Sequence, residues 1–168
     1  MTTVTNLNDS GPGSLRQALI DESGTINFDA SLDGRTIRLT SGELTAVNQL
    51  ISAESLTRGI ILDAGGTQRI LNITGGADAT NLSFINGNAG SGDGGAVLIA
   101  GGGANVFRQC RFRNNRAENG GAIFRADADA GNFIILEACS FEENFASRNG
   151  GAARIGGAGS LTINRSGF

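Results

Sequence analysis

Four phenylalanines, Phe84, Phe112, Phe141 and Phe168, stand 28, 29 and 27 residues apart, and their neighbours recur with them. Leu82, Cys110 and Cys139 each lie two residues before a Phe, and Ala89, Ala117 and Ala146 lie five after. Asn115 and Asn144 follow their Phe by three, and a Gly-Gly-Ala triplet closes successive units at Gly94, Gly120 and Gly150. A period of this length marks an array in which one unit cannot bury its apolar face alone, so that stacking of neighbours makes the core. The last copy stops at its Phe.

Within a unit the apolar residues alternate. Phe107, Cys110 and Phe112 of "VFRQCRF" return as Leu136, Cys139 and Phe141 of "ILEACSF". Cys and Phe are two apart and point the same way on one extended strand. "GGAVLI", "GGAIFR" and "GGAARI" supply a second short strand, entered through a glycine pair that suits positive φ or close backbone approach. No helical period is sustained from Thr80 to Phe168. The reading is an all-β parallel β-helix, its coils about 4.8 Å apart, with Phe84, Phe112, Phe141, Phe168, Cys110 and Cys139 stacked inside. Outward residues test the register independently: it sets Arg108 opposite Glu137 and Arg113 opposite Glu142, opposite charges on adjacent strands.

Composition narrows the function. The 168 residues carry a formal net charge of −3 with no His, Trp or Tyr, and all 13 basic residues are Arg. A basic face for nucleic acid is not expected. Absence of His removes the commonest general base and metal ligand. No apolar run approaches a membrane span, so no membrane insertion is expected, and Met1 leads into "TTVTNLNDSG" without the pattern of a signal peptide. The chain is expected to form one domain, residues 1–75 giving an N-terminal cap and first coils and 76–168 the repeat coils. In "DSGPGSLRQALI", Ser14 stands as N-cap with Gln17 three residues on, which predicts a capping box and a short helix to about Ile20. "TINF", "RTIRLTSGEL", "GIILDAGG" and "RILNITGG" read as strands.

"VTNLNDSGPGSLRQAL" with "TINFDASLDGRTIRLTSGEL" resembles the opening of a large group of bacterial, notably cyanobacterial, secreted parallel β-helix proteins. The "GGAI" and "F-x-x-N" copies resemble the repeats of polymorphic outer membrane proteins and related adhesins. This likeness implies a right-handed helix capped by the "SLRQAL" segment, in keeping with the general crossover preference, and an extracellular or cell-surface location.

Candidate sites remain few. Cys110 and Cys139 stand at a separation a disulfide could span, but small apolar stacking favours a reduced ladder. Asn115 and Asn144 could suggest sugar binding, but read as an asparagine ladder at a tight turn, bonding its own backbone and tolerating the left-handed conformation. Asp127 and Asp129 resemble half of a calcium loop without its remaining carboxylates, and are the weak metal candidates. "GSGDGGA" lacks the Lys and helix of a phosphate loop, so no cofactor is expected. Arg108, Arg111 and Arg113 with Glu137, Glu142 and Glu143 form a mixed-charge patch that could serve a polysaccharide lyase or hydrolase, or a carbohydrate-binding face. Mutual pairing accounts for them without catalysis, and a non-enzymatic structural or adhesive protein is expected. Its open final coil, with Leu161, Ile163 and Phe168, is expected to serve self-assembly as a fibre or end-to-end dimer, or to be continued in a longer surface protein. Cell-surface polysaccharide is a further expected partner.

Overall fold

The computed structural model describes residues 1–21, 24–126, 133–157 and 159–168. After β1 (Thr2–Val4) and helix α1 (Leu15–Asp21), the chain follows one itinerary again and again. It runs β2 (Thr25–Phe28), β3 (Thr36–Arg38) and β4 (Leu44–Ala46), then β5 (Gln49–Ser52), β6 (Ile60–Asp63) and β7 (Leu71–Ile73). The third coil is β8 (Ala77–Thr80), β9 (Leu82–Ile85) and β10 (Val97–Ile99). Next come β11 (Asn105–Arg108), β12 (Arg111–Arg113), β13 (Arg116–Asn119) and β14 (Ile123–Arg125). The path repeats through β15 (Phe133–Glu137), β16 (Ser140–Glu142), β17 (Phe145–Asn149) and β18 (Ala153–Ile155), and β19 (Ser160–Asn164) opens another turn.

Like strands pair with like. Sheet A is β1-β2-β5-β8-β11-β15-β19, sheet B is β3-β6-β9-β12-β16, sheet C is β4-β7-β10-β14-β18, and β13 pairs with β17 alone. The pairings are parallel, which makes the fold a parallel β-solenoid of about six turns.

Each coil therefore has three main strands where the sequence pattern predicts two. "VFRQCRF" is not one strand: Val106 to Arg108 belong to sheet A, Phe112 to sheet B, and Gln109 turns the chain between them with φ of 53°. Ala138 does the same in "ILEACSF", and Asn81 and Arg165 hold the same corner in neighbouring coils, with φ of 53°, 56° and 51°. The corner reverses the alternation, so Phe107, Cys110 and Phe112 all point inward although an even spacing joins only the last two. A second corner, between sheet B and the next segment, uses Asn86, Asn114 and Glu143 at φ of 53–56°. The third uses glycine. Gly94, Gly120 and Gly150 have φ of 60–69°, and a side chain on the following Gly121 would collide with the backbone of Gly151 in the next coil. One glycine of the pair supplies the left-handed turn and its neighbour admits the adjoining coil.

Inside, equal positions stack. In sheet B the inward column runs Ile37, Leu62, Phe84, Phe112, Phe141. The rings of Phe84, Phe112, Phe141 and Phe168 lie face to face at 5.0, 4.7 and 4.8 Å, tilted by less than 10°. Phe107 of sheet A meets this stack edge-on, 6.4 Å from Phe84 and 5.7 Å from Phe112. The edge-on contact suits the ring quadrupole.

At the other end α1 buries Leu15, Ala18 and Leu19 in the same core. The Ser14 hydroxyl accepts from the Gln17 N–H at 3.1 Å, but the Gln17 side chain donates to Asp21 at 2.8 Å rather than closing a box on Ser14. Arg16 ties the helix to the first coil through Asp9, at 2.8 Å, and through the carbonyls of Gly42 and Glu43.

Candidate functional site

The outer faces of sheets A and B meet along the first corner, and their meeting line is a groove of about 900 Å³ that runs across the coils from Gly34 to Gly167. Its floor is the left-handed column Asn81, Gln109, Ala138, Arg165. A left-handed backbone costs an ordinary L-residue about 1–2 kcal/mol, and only Asn among these four suits it. Arg58, Arg111 and Arg165 reach into the groove, and Glu54 is the acid that lines it with them.

This corner divides the mixed-charge patch anticipated from sequence. Arg108 and Glu137 lie on the sheet A side, 3.3 Å apart, with Asp78 3.8 Å from the same guanidinium. Arg113 lies on sheet B. Its backbone is in register with Glu142, yet its guanidinium pairs at 3.1 Å with Glu143, which the second corner swings towards it. Arg111 takes no part in either pair. The two bridges are half exposed and contribute roughly 0.2–1 kcal/mol each.

Asn115 and Asn144 are placed differently from the sequence reading. The left-handed residues are Asn114 and Glu143, one position earlier. Asn115 is fully buried and bonds across coils: its amide donates to Phe84 O at 3.0 Å and its oxygen accepts from Gly87 N at 2.8 Å. Asn144 repeats this one coil on, donating to Phe112 O at 2.9 Å and accepting from the backbone and side chain of Asn115 at 3.1 and 2.9 Å. They form a rung-to-rung ladder, with Asn115 buried where a sugar-binding amide would be exposed.

Cys110 and Cys139 are buried and reduced, just after the corner rather than within a strand. Their thiols donate to Ala79 O at 3.4 Å and to Phe107 O at 3.2 Å, and burial pushes the Cys110 thiol well up. At the last coil Leu161 and Ile163 continue the inward columns of Ile134 and Leu136, and Phe168 caps the ring stack. All three are exposed, at 37, 43 and 65%. Asp127 and Asp129 lie outside the described residues.

Sequence reasoning missed Arg125. It stands in the inward column Ala46, Ile73, Ile99, Arg125, Ile155 and is 1% exposed. Its guanidinium reaches the carbonyls of Gly103 and Phe133 only at 3.5 Å, its Nε has no partner among the described residues, and burial lowers its pKa. Alternation along "IFR" was the available signal, since Ile123 and Arg125 must share a face.

A family model described as the Chlamydia polymorphic membrane protein repeat matches residues 109–124. No curated protein and no solved structure matches the chain. The matched stretch begins at the left-handed Gln109 and carries β12, the buried Asn115 and the Gly120–Gly121 corner, ending in β14.

Proposed function

We propose that this chain is a non-enzymatic, surface-associated β-solenoid of the adhesin-like kind, right-handed and capped at its first coil by α1. The observation that carries the reading is where the repeat model matches: on the residues that build one coil's corners and its asparagine ladder. Those residues make a scaffold of stackable units. A repeat of this sort on a bacterial surface presents outward columns of side chains to the medium, while the inward columns hold the rungs together.

The finer reading concerns association. β19 is paired along one edge with β15, and Leu161, Ile163 and Phe168 present an apolar rung beside its other edge. Such an edge templates a further strand. The proposed occupant is the same rung of a second copy, joined end to end, because α1 covers the first coil, and a two-fold contact of that kind stops at a dimer. Sedimentation of the concentrated protein beside Ile163→Arg provides the test. A concentration-dependent dimer in the parent and none in the variant are expected. A parent that stays monomeric at every concentration overturns the self-assembly. Surface association is tested separately, by antibody labelling of intact producing cells; labelling only after lysis overturns it.

A further inference from the structure

We propose that the axial groove binds an extended acidic polysaccharide bearing one anionic group per disaccharide. This deepens the surface-module reading and rests on it, since such polymers are met outside the cell.

Charge sign is the first observation. The chain carries −3 overall, yet the charged residues lining the groove are Arg58, Arg111 and Arg165 against Glu54. The second is that two of these arginines are uncommitted. Among the described residues the side chains of Arg111 and Arg165 make no hydrogen bond or ion pair, and the Arg58 side chain is 78% exposed, 3.8 Å from Asp33. Outside the groove, Arg108, Arg113 and Arg148 pair with acids at 3.3, 3.1 and 3.0 Å. Arg111 and Arg165 are thus cations without a counterion where the surface is concave.

Spacing along the axis narrows the ligand. Arg58 leads into β6, Arg111 opens β12 two rungs later, and Arg165 leads into the Gly167 rung two beyond, where Ser140 bridges to Gly167. They do not share one column: the register aligns Arg111 with Ile61 and Gly167, so Arg58 and Arg165 stand three and two residues before its position. Two rungs advance about 9.6 Å along the axis, close to the length of one disaccharide in an extended polysaccharide. A polyanion with a charge on every unit of a shorter repeat brings its charges too close together. Between the arginines, Ser83, Gln109 and Ser140 offer hydroxyl and amide partners for sugar hydroxyls. With no Trp or Tyr to stack on sugar rings, ionic contact dominates and binding falls with salt.

Calorimetric titration with a hyaluronan decasaccharide, whose carboxylates recur once per disaccharide, tests this at ~0.01 M and at ~1 M ionic strength. Saturable binding at the low value, lost at the high, is expected. The triple variant Arg58→Gln, Arg111→Gln, Arg165→Asn should bind about tenfold more weakly, the product of three exposed ion pairs. Arg113→Gln, which removes a cation already paired with Glu143, should leave binding unchanged. Arg111→Gln alone, which breaks no bond in the free protein, should lose about two- to threefold, so the proposal does not depend on the triple variant folding. No binding by the parent at low salt, equal binding by Arg111→Gln and parent, or equal binding of a neutral chitin oligosaccharide or of polyglutamate each overturns the proposal. None of these outcomes bears on self-association or on labelling of intact cells, so the groove can fail while the surface reading stands.

Discussion

Replacing Asn115 by Ala removes a side chain that is fully buried and serves two backbone groups of the preceding coil. The Gly87 N–H loses its bond at 2.8 Å and the Phe84 carbonyl its bond to the amide at 3.0 Å, and both residues are buried. A buried backbone group left unpaired costs about 1–3 kcal/mol, and relief from burying the amide itself offsets part of the total, which sets an expected loss of about 2–4 kcal/mol. For a chain of this size that lowers the melting temperature by roughly 5–15 °C. Asn144→Ala should cost less, since Asn144 is only half-buried. Asn114→Ala, one residue away, removes an exposed bond to Asn86 and a side chain suited to φ of 53°, for about 1–2 kcal/mol. Urea denaturation of the three variants measures the losses, and amide hydrogen exchange locates them, with the Gly87 amide expected to exchange fastest in Asn115→Ala. If Asn115→Ala costs no more than Asn114→Ala, or if Gly87 keeps its protection, the ladder does not hold the coils and the reasoning fails.

Two further outcomes are expected. Phe112→Ala should destabilise by about 3–5 kcal/mol, because its ring is enclosed between Phe84 and Phe141, whereas Phe168→Ala, at 65% exposure, should cost less than about 1 kcal/mol; equal losses in thermal melts would contradict the one-sided exposure of the stack. Burial alone would raise the pKa of Asp9, but hydrogen bonds from Ser41, Arg16 and Thr40 outweigh it and hold the carboxyl below its ordinary value. A carboxyl depressed on folding stabilises the native state above its unfolded pKa near ~3.9 and loses that contribution as pH falls below it, so Asp9→Asn should flatten the decline in stability below about pH 4; an acid limb identical to the parent's would refute this.

How much was legible follows from which residues hold each corner. The ring stack could be read because Phe recurs at near-constant spacing, and the glycine corner because Gly94, Gly120 and Gly150 repeat in the three later coils. The first corner could not. Its left-handed column is Asn81, Gln109, Ala138 and Arg165, of which only Asn is a turn signal, so the chain read straight through it as one strand. Early coils were hidden for another reason. Ile37 and Leu62 occupy the column that Phe holds later, and the pairing of Leu62 with Phe84 closes a shorter arc than the later coils do. Shape is kept there while residue identity is not. The groove shared the fate of its floor: until the corner is known, Arg58, Arg111 and Arg165 have no reason to be considered together.

Repetition and function pull on different columns of this solenoid. An inward side chain rests on its own copy in the next coil, so a ring stack or an amide ladder is favoured only while neighbouring rungs agree. Outward columns carry no such constraint. Across sheet B one outward column reads Ser83, Arg111, Ser140, and the edge of sheet A beside the groove reads Ser52, Thr80, Arg108, Glu137, Asn164. Some of this variation is absorbed in pairing, as between Arg108 and Glu137. At the groove, Arg111 and Arg165 remain without a partner among the described residues and stabilise nothing within the chain. Removing Arg111 should leave stability unchanged to within about 0.5 kcal/mol, as for a surface residue without partners, while removing the adjacent Phe112 should cost several times that. Recognition by this protein is therefore to be sought where successive coils disagree.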